Sequence, residues 1–235
     1  ALSSAASDVY KRQVSRALKD SPEVGEEMRE RVKKLAGEWN YRPNPFAISL
    51  LKNNPRIIGI IVPDIVTHFY SSIISGISDV ARKNHYSVII TSSYEQYELE
   101  KQCVEDLMNI RVEGIIACIS QETTDYAHFE SLIMQRVPLV FFDRVCLHGR
   151  CSCVVADNAE SGKAATEHFL HHGAKRIGFI GGANHLDIVK QRKHGYLDAL
   201  RQYQIPIERE LIVCEKMTYD CLLYTSPSPR DMRRS

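Results

Sequence analysis

The stretch that decides the fold spans residues 56–64 and has the sequence RIIGIIVPD. Its apolar part, Ile57–Val62, is continuous and is followed by Pro63-Asp64, a pattern typical of a buried strand in a parallel sheet. Residues 41–51, just upstream, have the sequence YRPNPFAISLL. This segment predicts a short helix that begins on a proline, because the proline ring already has the backbone φ of a first helical turn. The junction therefore predicts a small helical head joined through a hinge to an α/β body.

Predicted strands and helices alternate strictly downstream of residue 55. In residues 55–150 the pattern predicts strands over 56–62, 87–91, 114–119 and 138–143, with helices over 69–84, 97–110 and 126–135. Parallel strands need such helical crossovers, so this region is predicted to be a doubly wound α/β lobe. Residues 151–220 predict the start of a second lobe with an incomplete sheet: strands over 152–156, 176–180 and 211–214, and helices over 158–172 and up to about 203.

Residues 14–54 are predicted to hold a partial helical head and the hinge helix. Residues 14–18 are interpreted as the end of one helix. A second helix over about 26–40 is indicated by apolar residues spaced three or four apart: Val24, Met28, Val32, Leu35 and Trp39. Gly25 is an acceptable cap for this helix. Two short helices are too few for a stable core, so we interpret them as the remnant of a three-helix head.

The two ends of the chain differ from the rest. Residues 1–13 contain SSAASDVYKRQ and residues 221–235 contain CLLYTSPSPRD. Both resemble in-frame translations of the transposase adapters used in sequencing libraries, and such sequences are set aside before the fold is considered. We therefore expect a native stretch from about Val14 to about Asp220 that is open at both ends.

Charge, hydropathy and cysteine spacing exclude some classes of protein. The chain has 30 Lys and Arg against 29 Asp and Glu, a net charge of +1, so any DNA contact must be local rather than spread over a basic surface. No apolar stretch approaches the roughly 20 residues that a membrane-spanning helix needs. The seven cysteines include no C-x-x-C pair, which favours reduced thiols in a cytoplasmic protein.

Eight short motifs occur in the order known from one family. They are VSRAL at 14–18, YRPN at 41–44, IVPD at 61–64 with FY at 69–70, PLVFFDR at 138–144, DN at 157–158, ATEH at 165–168, RIGFIGG at 176–182, and Arg192 with GY at 195–196 and AL at 199–200. In this order they resemble LacI/GalR-type bacterial transcriptional regulators across essentially all of residues 14–220. The resemblance implies a two-lobed, periplasmic-binding-protein-like α/β fold preceded by a truncated helix-turn-helix head. It also implies a cytoplasmic, homodimeric repressor that binds operator DNA and a small polar effector such as a carbohydrate.

The resemblance carries over five DNA-binding positions: Ser15, Arg16, Asn44, Ala47 and Leu50. Arg16 matches a recognition-helix arginine, and its guanidinium can form a bidentate pair with guanine; contact with solvent or phosphate is the alternative. Ser15 and Asn44 are expected to position the protein on DNA, and Ala47 is expected to let two hinge backbones approach. Leu50 matches an apolar wedge that kinks the duplex, with packing within the hinge helix as the alternative.

The same resemblance implies an effector site built from six residues: Phe69, Tyr70, Ser120, Asp143, Arg144 and Arg192. Most of them follow predicted strands, and ligands of open α/β sheets lie outside the carboxyl ends of the strands. Aromatic faces beside a carboxylate and a guanidinium suit a polyhydroxylated or otherwise polar small molecule. A core role for Phe69 and a surface ion pair between Asp143 and Arg144 are the alternatives.

No catalytic motif is present in the sequence. There is no nucleophile elbow, P-loop or H-E-x-x-H helix, and residues 178–182 lack the G-x-G-x-x-G spacing. We therefore predict a protein that is not an enzyme and uses neither a cofactor nor a metal. The alternatives are a two-lobed sugar-binding protein without DNA binding and a sugar-modifying α/β enzyme. The head and the hinge favour the regulator over both.

Overall fold

The computed structural model describes residues 12–18, 20–41 and 55–214. The chain divides into two compact units, one up to Asn54 and one from Pro55 onward. Three predicted DNA-binding positions, Asn44, Ala47 and Leu50, lie outside the described residues, as does the predicted hinge helix.

The first unit contains helix α1 over residues 12–17 and helix α2 over Glu26–Glu38. Gly25 is the N-cap of α2, as predicted, and Glu26 and Glu27 occupy its first turn, where a carboxylate complements the positive end of the helix dipole. Three members of the predicted apolar stripe lie on this helix: Met28, Val32 and Leu35. Its last member, Trp39, is the C-cap and is 78% exposed. The described part of this unit therefore leaves much of that stripe open to solvent.

The second unit is built on a five-stranded parallel sheet with the order β2-β1-β3-β4-β5. The strands are β1 (Ile57–Val62), β2 (Ser87–Ser92), β3 (Gly114–Ala117), β4 (Leu139–Phe142) and β5 (Ser152–Val154). The crossovers are helices α3 (His68–Lys83), α4 (Tyr97–Ile110) and α5 (Ala127–Met134). The strand order reverses between β1 and β3, which is the position where such sheets bind ligands.

Strand β1, which lies between β2 and β3, is buried on both faces. Ile61 belongs to one hydrophobic cluster together with Leu107 of α4, whereas Ile60 belongs to another together with Tyr70 of α3. Gly59 lies so close to α4 that a Cβ atom built there would be 2.6 Å from a methyl carbon of Leu107. Burial on both faces explains why this strand has a continuous rather than an alternating apolar sequence.

A smaller parallel sheet and two helices complete the second unit. They are helix α6 (Asn158–His171), strand β6 (Phe179–Gly181), helix α7 (Asp187–Gln202) and strand β7 (Ile212–Cys214), which pairs with β6. A single turn of 3₁₀-helix, Arg209–Leu211, precedes β7. Leu186 and Ile188, at the start of α7, belong to the same hydrophobic cluster as Phe129 of α5, so the two sheets share one core.

Two features differ from the sequence predictions. The pattern assigns residues 152–156 to the second lobe, but the structure pairs β5 with β4, Val140 opposite Ser152, so that the first sheet extends past residue 150. The strand predicted over 176–180 begins only at Phe179. The two residues at the predicted start make tertiary contacts instead: the carbonyl of Ile177 accepts a hydrogen bond from the Tyr196 hydroxyl at 2.8 Å, and Arg176 pairs with Glu208.

The sequence predicts reduced cysteines and no membrane-spanning helix. The six cysteines within the described ranges are all free thiols. No helix in those ranges has the length and apolarity that crossing a membrane requires.

Candidate functional site: a cleft between the two sheets

A cavity of about 390 Å³ lies between the large sheet and the small one, a volume typical of small-molecule sites. The large sheet contributes Phe69, Gln121, Asp143 and Arg144. The small sheet and its neighbours contribute residues 179–182 of β6 and the loop after it, Leu186, and Ile188, Val189 and Arg192 of α7. The cavity is therefore lined by both apolar and charged side chains.

The large-sheet side of the cleft is positioned by the parallel topology. Strands β1, β3 and β4 point in the same direction, so the residues that follow them gather at one edge. Phe69 lies in the first turn of α3, after β1, and its ring is about half exposed. Asp143 follows β4 directly and adopts a left-handed backbone conformation with φ of 57°, while its N–H donates to the carbonyl of Val154 at 3.1 Å. This tie to β5 supports a backbone geometry that is costly for a residue other than glycine.

Arg144 is held by a carboxylate that the sequence analysis missed. Its Nη1 atom donates to both oxygens of Glu95, at 2.9 and 2.7 Å, and the pair is largely buried. Glu95 Oε2 also accepts the backbone N–H of Gln121 at 2.6 Å. Arg144 therefore pairs with Glu95. The alternative from the sequence, a surface ion pair between Asp143 and Arg144, is not what the structure shows. The only sequence signal for Glu95 is its place just after β2, at the same sheet edge.

Asp143 occupies a partly buried, charged environment. Burial raises the pKa of its carboxyl group above the ordinary value, and the nearby charges of Arg144 and Arg192 oppose that rise. Cys118 lies behind it, with the sulfur 3.9 Å from Oδ2 of Asp143. Because burial raises the pKa of Cys118 to about 12, this thiol stays protonated and neutral. The carboxyl group of Asp143 is thus a titratable acid that lines the cleft.

Arg192 approaches the cleft from α7. Its Nε donates to Oδ1 of Asn158 at 3.0 Å, and Nδ2 of Asn158 donates to the carbonyl of Ala156 at 3.1 Å. Gly162 allows this arrangement, since a Cβ atom there would lie 2.3 Å from the carbonyl oxygen of Arg192. Buried Asn158 at the start of α6 therefore orients the arginine, which the sequence analysis predicted without its partner.

The structure brings four of the six predicted effector residues together. Phe69, Asp143, Arg144 and Arg192 all line the cavity. Tyr70 and Ser120 are buried and are not among its lining residues. Their assignment, like that of the other four, stays a prediction.

Tyr70 and Ser120 support residues that do line the cleft. The ring of Tyr70 packs edge-on against Phe69, with the ring centroids 5.2 Å apart. Ser120 exchanges a hydrogen bond with Ser93 at 2.6 Å, and its backbone N–H donates to Glu100 at 2.5 Å. Tyr70 and Ser120 therefore pack or hydrogen-bond behind the residues that line the cavity.

The predicted DNA-binding residues that the structure describes are Ser15 and Arg16. Both are exposed on α1. Arg16 pairs with Glu23 at 2.6 Å, and both side chains are more than half exposed. Exposed ion pairs of this kind contribute about 0–1 kcal/mol. Arg16 can therefore exchange Glu23 for another anion at little cost.

Within residues 12–18, 20–41 and 55–214, no three His, Cys, Asp or Glu side chains are grouped so that they could hold a metal ion.

The chain is similar in sequence to a known protein family and to two transcriptional regulators. The family model described as "Periplasmic binding proteins and sugar binding domain of LacI family" matches residues 56–223. The HTH-type transcriptional regulator MalR of Streptococcus pneumoniae is 31% identical over 204 residues, which are 85% of this chain and 61% of that protein. The ribose operon repressor of Bacillus subtilis is 33% identical over 195 residues, which are 83% of this chain and 58% of that protein.

A solved structure shares the fold. The lac repressor dimer bound to operator and the anti-inducer ONPF superposes with a TM-score of 0.69 at 23% identity, covering 87% of this chain and 61% of that one. The present chain thus spans about three fifths of the length of the curated relatives it matches.

Proposed function

Since this chain belongs to the family of periplasmic binding proteins and LacI-type sugar-binding domains, we propose that it works as an effector-responsive transcriptional repressor. Its cleft binds a small polyhydroxy compound, with a sugar as the first candidate. The observation that carries this proposal is the cavity itself, which gathers an aromatic face, a carboxylate and two guanidinium groups from two sheets. The names of two relatives, a ribose operon repressor and MalR, point in the same direction.

The chemistry of the cleft fits a sugar. The half-exposed ring of Phe69 offers a flat apolar surface to the C–H face of a pyranose or furanose. The carboxylate of Asp143 accepts hydrogen bonds from ring hydroxyl groups, and the guanidinium of Arg192 donates to hydroxyl or ring oxygens. Because Asp143 follows a strand of the large sheet whereas Arg192 lies on α7 beside the small sheet, a ligand that contacts both favours one arrangement of the two sheets.

The proposed regulation follows from that preference. A ligand that binds one arrangement of the sheets more tightly shifts the population toward it. In a homodimer on a palindromic operator, this shift changes how the two N-terminal heads are presented to the DNA, and sugar binding and DNA binding become linked. Such a repressor works in the cytoplasm and needs neither a catalytic step nor a cofactor.

Sugar binding is tested by thermal unfolding of the chain against a panel of neutral mono- and disaccharides that includes ribose. We expect at least one sugar to raise the Tm in a concentration-dependent way, as a ligand of the native state does. Arg192→Gln should remove most of that rise. Arg201→Gln is the matched control, because Arg201 lies on the same helix in an exposed pair with Asp198. Equal shifts in both variants, or none with any sugar, would refute the cleft as the effector site.

The affinity for the sugar should depend on pH through Asp143. Burial raises the pKa of this carboxyl group, so it gains its proton at a higher pH than an exposed aspartate does. The protonated form loses its charge and one acceptor site, and sugar binding should therefore weaken as the pH falls toward that raised pKa. Calorimetric titration from pH 7 downward measures the effect, and Asp143→Asn should flatten the profile. If the affinity of the unaltered chain and that of Asp143→Asn changed with pH in the same way, Asp143 would not be a ligand of the sugar.

DNA binding is tested with duplexes enriched from a randomised palindromic pool by a regulator that carries this chain with a complete helix-turn-helix head. Arg16→Ala should weaken binding by about tenfold or more, because a bidentate arginine–guanine contact contributes about 1–3 kcal/mol. Arg31→Ala, an exposed arginine on α2, is the matched control. Leu50→Ala tests the predicted wedge. If neither Arg16→Ala nor Leu50→Ala changes the affinity, the DNA-contact assignments are wrong.

A further inference from the structure

We propose that Glu95 is a specificity-determining residue of the cleft. By pairing with Arg144 it keeps the cleft electrically balanced, so that the site accepts uncharged polyhydroxy compounds and disfavours their phosphorylated forms. This inference rests on the proposed function, because it concerns the ligand class of the same site. Glu95 borders the site through its contact with Arg144 and is not one of the residues that line the cavity.

Glu95 balances the charge of the side chains that line the cavity. The charged side chains that line the cavity are Asp143, Arg144 and Arg192, which together carry one excess positive charge. Glu95 cancels that excess because it forms an ion pair with Arg144 at 2.7 Å. Asp143 in turn lies within the electrostatic reach of both arginines. With Glu95 included, the described charged side chains at the cleft are therefore two positive and two negative, so a phosphate meets no excess of positive charge there.

Glu95 occupies the guanidinium donor of Arg144 that a phosphate would need. Arg144 directs one guanidinium nitrogen, Nη1, at both carboxylate oxygens of Glu95. Phosphate oxygens are recognised by the same guanidinium donors, so Glu95 competes directly with a phosphate for Arg144. The pair is only 19% and 34% exposed, which limits the screening of this interaction by water.

The carboxylate of Glu95 is held in place by its own backbone turn and by Gln121. Tyr94 and Glu95 both adopt left-handed backbone conformations, with φ of 50° and 63°, which is an uncommon pair for residues other than glycine. The N–H of Gln121 donates to the same carboxylate at 2.6 Å. A carboxylate held from two directions by a strained turn is not free to swing away when an anion arrives.

The test measures the binding of inorganic phosphate, ribose and ribose 5-phosphate to the full chain by calorimetry at low ionic strength. We expect the unaltered chain to bind phosphate with a Kd above about 1 mM. Glu95→Gln keeps the size of the side chain and an acceptor for Gln121 but removes the charge. This variant should bind phosphate and ribose 5-phosphate at least about tenfold more tightly than the unaltered chain, because a charge-assisted bond to Arg144 becomes available.

Two further variants make the result specific. Glu98→Gln removes the same charge from an exposed position on α4, where Glu98 pairs with Lys101, and it should leave phosphate affinity unchanged. Glu95→Gln combined with Arg144→Gln should lose the gain. The proposal is overturned if Glu95→Gln shows no gain, if Glu98→Gln gains equally, or if the gain persists without Arg144.

A folding failure of Glu95→Gln would still leave a decisive measurement. Tight phosphate binding by the unaltered chain that Arg144→Gln abolishes would show Arg144 to be free for anions and would overturn the proposal; the absence of such binding supports it. The proposed function fails on a different result, namely the absence of binding by any neutral sugar. A gain of phosphate binding in Glu95→Gln would stand even then.

Discussion

Replacing Gly195 by alanine is expected to lower the free energy of unfolding of the chain by about 3 kcal/mol. Gly195 is buried in α7, where it faces the backbone of α6. A Cβ atom there would lie 1.9 Å from the carbonyl oxygen of Ala159 and 2.7 Å from the amide nitrogen of Lys163. The obstacle is backbone and not a flexible side chain, so the two helices would have to separate. Urea denaturation followed by circular dichroism measures the change.

Gly76→Ala is the matched control for this prediction. Gly76 also lies within a helix, α3, but a Cβ atom there would meet nothing within 4 Å. Alanine has the higher helix propensity, so this variant should be neutral or more stable by up to about 1 kcal/mol. A loss of stability in Gly76→Ala as large as in Gly195→Ala would contradict the packing account. Gly162→Ala, at the same helix contact, should in addition weaken sugar binding because it displaces the backbone of Arg192.

Glu100→Ala is expected to cost about 3–5 kcal/mol of stability. Glu100 is fully buried, and its carboxylate accepts three hydrogen bonds. The donors are the backbone N–H of Ser120 at 2.5 Å, the hydroxyl of Thr123 at 2.7 Å and Nε2 of His128 at 2.9 Å. Alanine leaves all three polar groups buried without this partner. The segment between Ser120 and Thr123 carries Gln121 at the cleft, so sugar affinity should fall together with stability.

The control for Glu100 lies two residues away on the same helix. Glu98→Ala removes an exposed carboxylate whose i,i+3 pair with Lys101 lies in solvent, and it should change stability by less than about 0.5 kcal/mol. Glu100→Gln should lose less stability than Glu100→Ala because the amide keeps one acceptor oxygen. If Glu100→Ala unfolds at the same urea concentration as Glu98→Ala, the buried network has no stabilising role.

Local patterns were sufficient to predict the fold class. The continuous apolar sequence of β1 and the regular alternation of strands and helices predict a doubly wound sheet, and both the observed topology and the family match confirm it. These features depend on residues close in sequence, which burial and helix periodicity constrain strongly. The place of β5 could not be predicted in this way, because its pairing with β4 is a choice between two sheet edges that its short sequence does not encode.

The cleft was predictable only in part. Phe69, Asp143, Arg144 and Arg192 occur in sequence motifs, and the parallel topology brings the first three to one edge. Glu95 and Glu100 carry no motif. Their roles arise from contacts with Arg144, 49 residues away, and with Ser120, 20 residues away. Such long-range pairs of polar side chains become visible only when the fold has placed them together.

The measurement that tests the central claim most directly is a calorimetric titration of the full chain with the best-binding neutral sugar, repeated with Asp143→Asn, with Arg192→Gln and with both changes together. The account predicts that each single variant weakens binding by about tenfold or more. It also predicts that the double variant loses less than the sum of the two free-energy changes, since one ligand bridges both side chains. Unchanged affinity in either single variant would contradict a sugar site formed between the two sheets.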